Sequence, residues 1–402
     1  MKEIDNTREN KRETKRKKGR SWLSRLNSWL HLWLGIGSGI IVFIVAITGC
    51  MFVFCDDIID GIGGSALRVP EVKEVRLTPE ELVTAFKKEN PHLHPFYFVT
   101  YKDPQRTFRV GAEDKNDVFS FTWVDPYTGK SLKTTTAYYF FYVVAHIHSG
   151  HIPFGEVGGL IVEIATWIFL IELITGLILW WPVKWTKATR EQSFKIKFKA
   201  SWKRVNYDLH NVPGFYSLVP ALMLTVTGLI IANKPLNRAT HNLLDGKAQP
   251  YAAIRKMGPA YDSTRAYLPM NTVLDQLLRE PGVTQVRMSL PPERQTVQLV
   301  LAGSDIGLKG IDGRILVADR YTGNEIKMAP ALLRGISIEG WNMNLHIGFW
   351  AGWFGKIFTF IIGLICAALP ITGFLIWWGR RKKKKPVRRV ARPTVQPVAA
   401  SV

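Results

Sequence analysis

Four long apolar runs constrain this chain more than any other feature. Residues 30–54, 157–181, 212–232 and 354–378 each hold 21 to 25 predominantly apolar positions. At about 1.5 Å of helical rise per residue, each is long enough to cross a hydrocarbon core of about 30 Å. That excludes a cytosolic enzyme. The net charge of +21 invites a nucleic-acid reading, but the placement of the charge excludes one. Lys plus Arg outnumber Asp plus Glu by 10 to 4 in residues 1–30, 8 to 2 in 183–210 and 9 to 0 in 379–402. These three segments hold the whole excess, and the rest of the chain carries 26 of each sign. Four spans put all three on one side of the membrane, and the positive-inside rule makes that side the cytoplasm.

The expected order is a basic tail (1–29), a first span (30–54), an outer segment (56–145), and a second span with its outer approach (146–182). A basic loop (183–210), a third span (212–232) and a second outer segment (233–345) follow, then a fourth span with its outer approach (346–378) and a basic tail (379–402). Both termini are expected in the cytoplasm. Twelve of the 14 Trp, among them Trp180, Trp181, Trp341, Trp350, Trp353, Trp377 and Trp378, fall at or near span ends, where an aromatic belt belongs. The basic run 380–385 suits an anionic lipid surface. Ile47-Thr48-Gly49-Cys50 also resembles a lipoprotein cleavage box, with the first span as a signal sequence. Against that, the tripeptide recurs without a Cys as Ile174-Thr175-Gly176, Val226-Thr227-Gly228 and Ile371-Thr372-Gly373, once in each remaining span. Cys50, Cys55 and Cys366 form no CxxC and read as packing residues.

The recurrence extends into a duplication. His31 precedes Thr48 by 17 residues and His210 precedes Thr227 by 17; His148 precedes Thr175 by 27 and His346 precedes Thr372 by 26. The outer segments repeat as well. A helix opening at Leu77-Thr78-Pro79 and strands near 96–101 and 107–110 lead to Asp125-Pro126-Tyr127-Thr128-Gly129. In the second copy a helix near 271–279 and strands near 283–290 and 296–302 lead to Asp319-Arg320-Tyr321-Thr322-Gly323. The Asp and Gly of these endings are turn chemistry. The expected fold is an α-helical membrane protein, a four-helix transmembrane bundle built from a duplicated unit of span, outer α/β domain and span.

Nine histidines occur, and four share an aliphatic-His context at equivalent repeat positions: His31, His148, His210 and His346. Topology sorts them into His31 with His210 near the cytoplasmic face and His148 with His346 near the outer face. Polar side chains in hydrocarbon are costly and face the bundle interior. Two neutral imidazoles facing each other across a helix bundle make an axial site for a b-type haem, so two pairs suggest two bis-histidine haems. The bland reading makes each His an interfacial residue bonded to a carbonyl or headgroup. Four in matched pairs favour ligation.

Leu30-His31-Leu-Trp-Leu-Gly, the 176–182 ending Gly-Leu-Ile-Leu-Trp-Trp-Pro, Leu209-His210-Asn-Val-Pro-Gly-Phe-Tyr, Leu345-His346-Ile-Gly and the two Asp-x-Tyr-Thr-Gly endings together resemble the PepSY-associated transmembrane helix family, over nearly the whole chain. That family includes inner-membrane ferric-siderophore reductases. The resemblance implies two periplasmic α/β PepSY-like domains, a bacterial inner-membrane location, and a dihaem protein that reduces ferric chelates on the outer side. One departure is the segment Ala145-His146-Ile147-His148-Ser149-Gly150-His151, whose extra histidines leave the choice of ligand there open. His148 fits the repeat spacing better than His146 or His151.

His146, His148 and His151 are alternatively a divalent-metal cluster, while His92 and His94, beside Pro91 and Pro95, read as a solvated strand approach. Glu163 and Glu172 lie within the second span, where a carboxyl needs a partner or a proton. Nine residues apart, they project about 180° from each other, which rules out one dyad. Two function classes remain: a transmembrane reductase carrying electrons from a quinol or cytoplasmic donor to a periplasmic ferric chelate or siderophore, and a non-enzymatic membrane adaptor whose outer domains bind envelope peptides or proteins.

Overall fold

A computed structural model describes residues 21–304, 306 and 313–381. The basic run before Ser21 and the tail beyond Arg381 lie outside the described residues. In chain order the elements are α1 (Trp22–Val53), α2 (Cys55–Gly63), α3 (Pro79–Glu89), β1 (His94–Tyr101), β2 (Phe108–Glu113), β3 (Phe119–Val124), β4 (Ser131–Thr135), α4 (Tyr138–His148), α5 (His151–Trp180), α6 (Lys187–Phe194), α7 (Trp202–Tyr216) and α8 (Leu218–Ala232). There follow α9 (Lys234–Leu243), α10 (Pro250–Ile254), α11 (Asn271–Arg279), β5 (Gln285–Ser289), β6 (Val297–Gly303), β7 (Arg314–Asp319), α12 (Pro330–Ile347) and α13 (Gly352–Arg381). Most of the described residues are helical. Among the described residues three stretches, Trp22–Val53, Tyr138–Trp180 and Phe349–Arg381, are long and apolar enough to cross a membrane, and α7 with α8 makes a fourth if that pair, bent by 66°, is one span. The sheet forms a separate region.

The bend is written in the prolines. Pro220 lacks the N–H that would bond the Tyr216 carbonyl, and its ring crowds that carbonyl, so the helix breaks at Ser217. The third span expected over 212–232 takes in the end of α7 and all of α8, across this bend. α4 and α5 are also separated, by Gly150 in the left-handed region and non-helical backbone at Ile152 and Gly155. A Cβ on Gly150 would run into the Gly158 carbonyl, and one on Gly158 into that of Gly150, so only glycine lets the two ends of this loop touch. Gly348 and Gly355 close the corresponding loop between α12 and α13 in the same way.

All seven strands form one sheet, in the order β4-β3-β2-β1-β5-β6-β7. Strands from the two outer segments meet at β1 and β5, which pair antiparallel with Phe98 opposite Met288 and Val99 opposite Arg287. This differs from two self-contained domains. Alone, each segment would expose β1 or β5 as an open edge with unpaired N–H and C=O groups, and pairing the two satisfies both. One face of the sheet, with Phe98, Val110, Met288 and Val300, packs on Leu82 and Phe86 of α3 and Leu274 and Leu277 of α11. α3 begins with a capping box between Thr78 and Glu81 and has Pro79 in its first turn. The other face, with Tyr97, Val99, Phe121 and Trp123, packs on Cys55 and Ile59 of α2 and Phe141 of α4. Those helices continue directly from the end of α1 and toward the start of α5, so the sheet sits over one end of the apolar helices. The Nζ of Lys356, buried in α13, meets Asp57 Oδ2 of α2 at 2.6 Å and ties α13 to α2 at that end.

Candidate functional site

Each of the four repeat-related histidines rests on a Thr-Gly pair of a neighbouring helix. His31 of α1 lies on α5, its Nδ1 3.0 Å from Thr175 Oγ1, with the Glu172 carbonyl alongside. His148, the last residue of α4, lies on α1 in return, Nδ1 at 3.2 Å from Thr48 Oγ1 and 2.8 Å from the Val45 carbonyl. The second half repeats both contacts. His210 of α7 lies on α13, Nδ1 at 2.9 Å from Thr372 Oγ1 and 3.1 Å from the Leu369 carbonyl. His346 of α12 lies on α8, Nδ1 at 3.0 Å from Thr227 Oγ1 and 3.1 Å from the Leu224 carbonyl.

The following glycine is what allows the approach. A Cβ on Gly49, Gly176, Gly228 or Gly373 would stand 3.1, 3.2, 3.0 or 3.2 Å from the Cε1 of the seated imidazole, tighter than ordinary contact. The threonine hydroxyls donate within their own helices, Thr48 to Ile44, Thr175 to Glu172, Thr227 to Met223 and Thr372 to Ala368. Their oxygens are thereby left to accept. With acceptors on that side of every ring, hydrogen-bond accounting assigns the proton to Nδ1, and a bond to a metal has to be made through Nε2.

The seated rings meet in pairs that join the two halves. His31 and His210 have centroids 6.3 Å apart, and His148 and His346 6.1 Å apart. Imidazoles at such separations leave room for a metal that each could bind through a bond of about 2.0 Å. Separation alone does not single out such a pair, because His146 and His151 stand at 6.2 Å as well. Their Nδ1 atoms bond locally, to the Tyr142 carbonyl and to Ser149 Oγ, and neither has a Thr-Gly seat. Among the described residues no three His, Cys, Asp or Glu side chains group closely enough to hold a metal ion. Since His31 and Thr48 are 17 residues apart on α1, the two paired sites are separated by about 25 Å along that helix.

Three asparagines hold the seats together. Asn27, Asn206 and Asn342, each four residues before its histidine, donate through Nδ2 to the carbonyls of Thr175, Thr372 and Thr227 at 3.1, 3.1 and 3.2 Å. The matching position before His148 is Val144, buried and apolar. Glu163 and Glu172 have separate surroundings: Glu163 Oε1 accepts from Asn233 at 2.6 Å, while Glu172 lies against Gly35 with its buried Oε1 unbonded. Sequence spacing alone marks the Thr-Gly pairs only as repeat signatures. Their role needs the knowledge of which helices adjoin. The asparagines carry a legible signal, Asn four residues before His in three of four repeats.

A family model described as a PepSY-associated TM region matches residues 28–380. No curated protein matches the chain.

Proposed function

The chain belongs to the PepSY-associated TM family, and from that premise we propose that it is a dihaem electron-transfer protein of the bacterial inner membrane that reduces ferric-siderophore or similar ferric chelates in the periplasm. The observation that carries this reading is the set of four histidines seated on four Thr-Gly pairs and meeting two by two at 6.3 and 6.1 Å. His31 and His210 would hold one b-type haem and His148 and His346 the other, through Nε2 in each case. The residues fit: opposed imidazoles, Nδ1 already engaged, and backbone kept open by glycine around each ring. The haems, when bound, supply the one-electron chemistry. The protein would hold the ligands near the two ends of the spans, each ring half-buried against a neighbouring helix. It also brings the sheet, built from two PepSY-like halves, over the site nearer the chelate.

On this reading the helices are a duplicated four-helix bundle with both termini and the 183–210 loop in the cytoplasm, and a quinol or a cytoplasmic reductant is the electron source. The test is the haem content and absorption spectrum of protein purified from haem-replete cells. Two haems per chain with a low-spin bis-histidine spectrum are expected. Colourless protein would overturn the reading and leave the membrane adaptor. A periplasm-active reporter fused after Lys102 or Arg287 is expected to be active, and one after Lys195 or Arg381 inactive.

A further inference from the structure

We infer that Thr48, Thr175, Thr227 and Thr372 are positioning residues for the axial imidazoles, and that His148, whose seat alone lacks an asparagine clamp, is the weakest-held ligand, so that its haem is lost first. The inference rests on the bis-histidine reading. Each threonine spends its own proton on a carbonyl of its helix at 2.6 to 3.2 Å, so toward the imidazole it acts only as an acceptor. At His148, His210 and His346 that acceptor shares the Nδ1–H with a main-chain carbonyl three residues earlier on the threonine's helix. Two acceptors converging on one N–H fix the rotation of the ring about its Cβ–Cγ bond as well as its tautomer. They also make the ligating nitrogen more basic, which favours ferric over ferrous iron.

The clamp acts one step further out. Asn27, Asn206 and Asn342 each bridge from the helix of the histidine to the main chain of its threonine, holding the two helices in register. Val144 has no amide to form such a bridge, and at this seat the His148 ring itself reaches Thr48 and the Val45 carbonyl of α1. The pair His31 and His210 thus has two clamps, and the pair His148 and His346 has one.

The experiment uses the full chain and compares Thr→Val, which keeps the volume and removes the acceptor, with Thr→Ser, which keeps the acceptor. Thr175→Val and Thr372→Val are expected to raise the midpoint potential of the His31–His210 haem and alter its low-spin resonance spectrum. Thr48→Val and Thr227→Val should do the same to the other haem, and each Thr→Ser should restore the wild-type values. On mild denaturation the wild-type protein should release the His148–His346 haem first; Asn27→Leu or Asn206→Leu alone, which leaves one clamp to each pair, should remove that order, and the two together should reverse it. A two-haem wild type whose Thr→Val variants keep both potentials, or in which Val and Ser variants behave alike, would overturn this inference alone. A wild type without haem would overturn the bis-histidine reading, and this inference with it. If Thr→Val prevents folding, release order in the wild type and in Asn206→Leu still decides the clamp, and Thr→Ser with an altered potential would count against the acceptor.

Discussion

An imidazole can lie against the backbone of a neighbouring helix only where that helix offers an acceptor and lacks a side chain, and the Thr-Gly pair provides both. Gly228 shows how narrow the margin is, because a Cβ there would already be 3.0 Å from His346 Cε1. Gly228→Leu is expected to lose the His148–His346 haem as completely as His346→Ala, while Gly228→Ala, which needs a shift of a few tenths of an ångström, retains it with weaker hold; haem-to-protein ratios of the folded variants read this directly. Equal haem in Gly228→Leu and wild type would mean that the ring does not seat there. On the dihaem reading His31→Ala and His210→Ala should remove one and the same haem, and combining them should remove no more, since both would serve one ligand field. At this scale the sequence is unusually readable. His31, His210 and His346 stand out from the other histidines because the duplication repeats their context, and repeat spacing prefers His148 to His146. The structure brings His148 to His346, whereas His146 bonds the Tyr142 carbonyl of its own helix. The threonines are visible too, but a hydroxyl's partner lies 100 to 162 residues away in sequence, and no local pattern reports that.

Among the elements, legibility follows locality. α3 and α11 declare themselves through a capping box in the first and amphipathic spacing in both, and their helices fall where the spacing puts them. β3 and β7 are hidden because each runs straight into the Asp125 or Asp319 turn, where the turn residues mask the alternation. The glycine-closed loops explain the unequal repeat spacings: 27 residues from His148 to Thr175 would span about 40 Å on one helix, against about 25 Å for the 17 from His31 to Thr48, and the difference is taken up where Gly150 meets Gly158. α9 carries a further group with no sequence signal, His241, fully buried and 3.9 Å from Glu339 Oε1 of α12. Burial pushes its imidazole below the ordinary value of 6.5, and burial pushes the Glu339 carboxyl up. The unfolded chain therefore binds a proton at His241 below pH 6.5 that the folded chain resists, so this group's contribution is present above that pH and is lost as the pH falls toward the lower folded value. His241→Phe should flatten the fall in unfolding temperature between about pH 7 and 5.5, while Glu339→Gln, if the slope belongs to His241, should leave it in place. An unchanged slope in His241→Phe would assign the acid sensitivity elsewhere.

For the molecule as a whole, what matters is that each half completes itself locally but not functionally. Within a half the histidines are seated reciprocally, His31 on α5 and His148 on α1, then His210 on α13 and His346 on α8. Across the halves run both histidine pairs, the β1–β5 seam and the Lys356–Asp57 contact. A cut near Lys195 leaves every one of these contacts intact once the pieces meet, because residues 183–201 contribute to none of them. Residues 1–195 and 196–402 made together in one cell should therefore assemble and bind both haems. Made separately, neither piece as a monomer holds two imidazoles seated on Thr-Gly pairs that face each other, so on the dihaem reading neither should bind haem in that state. Because the two halves offer equivalent seats and equivalent sheet edges, any haem recovered with a single piece should travel with a homodimer in size-exclusion chromatography and be absent from the monomer peak. Low-spin haem in the monomer peak of either piece would show that one half supplies both axial ligands, and the pairing of His31 with His210 and His148 with His346 would then be wrong.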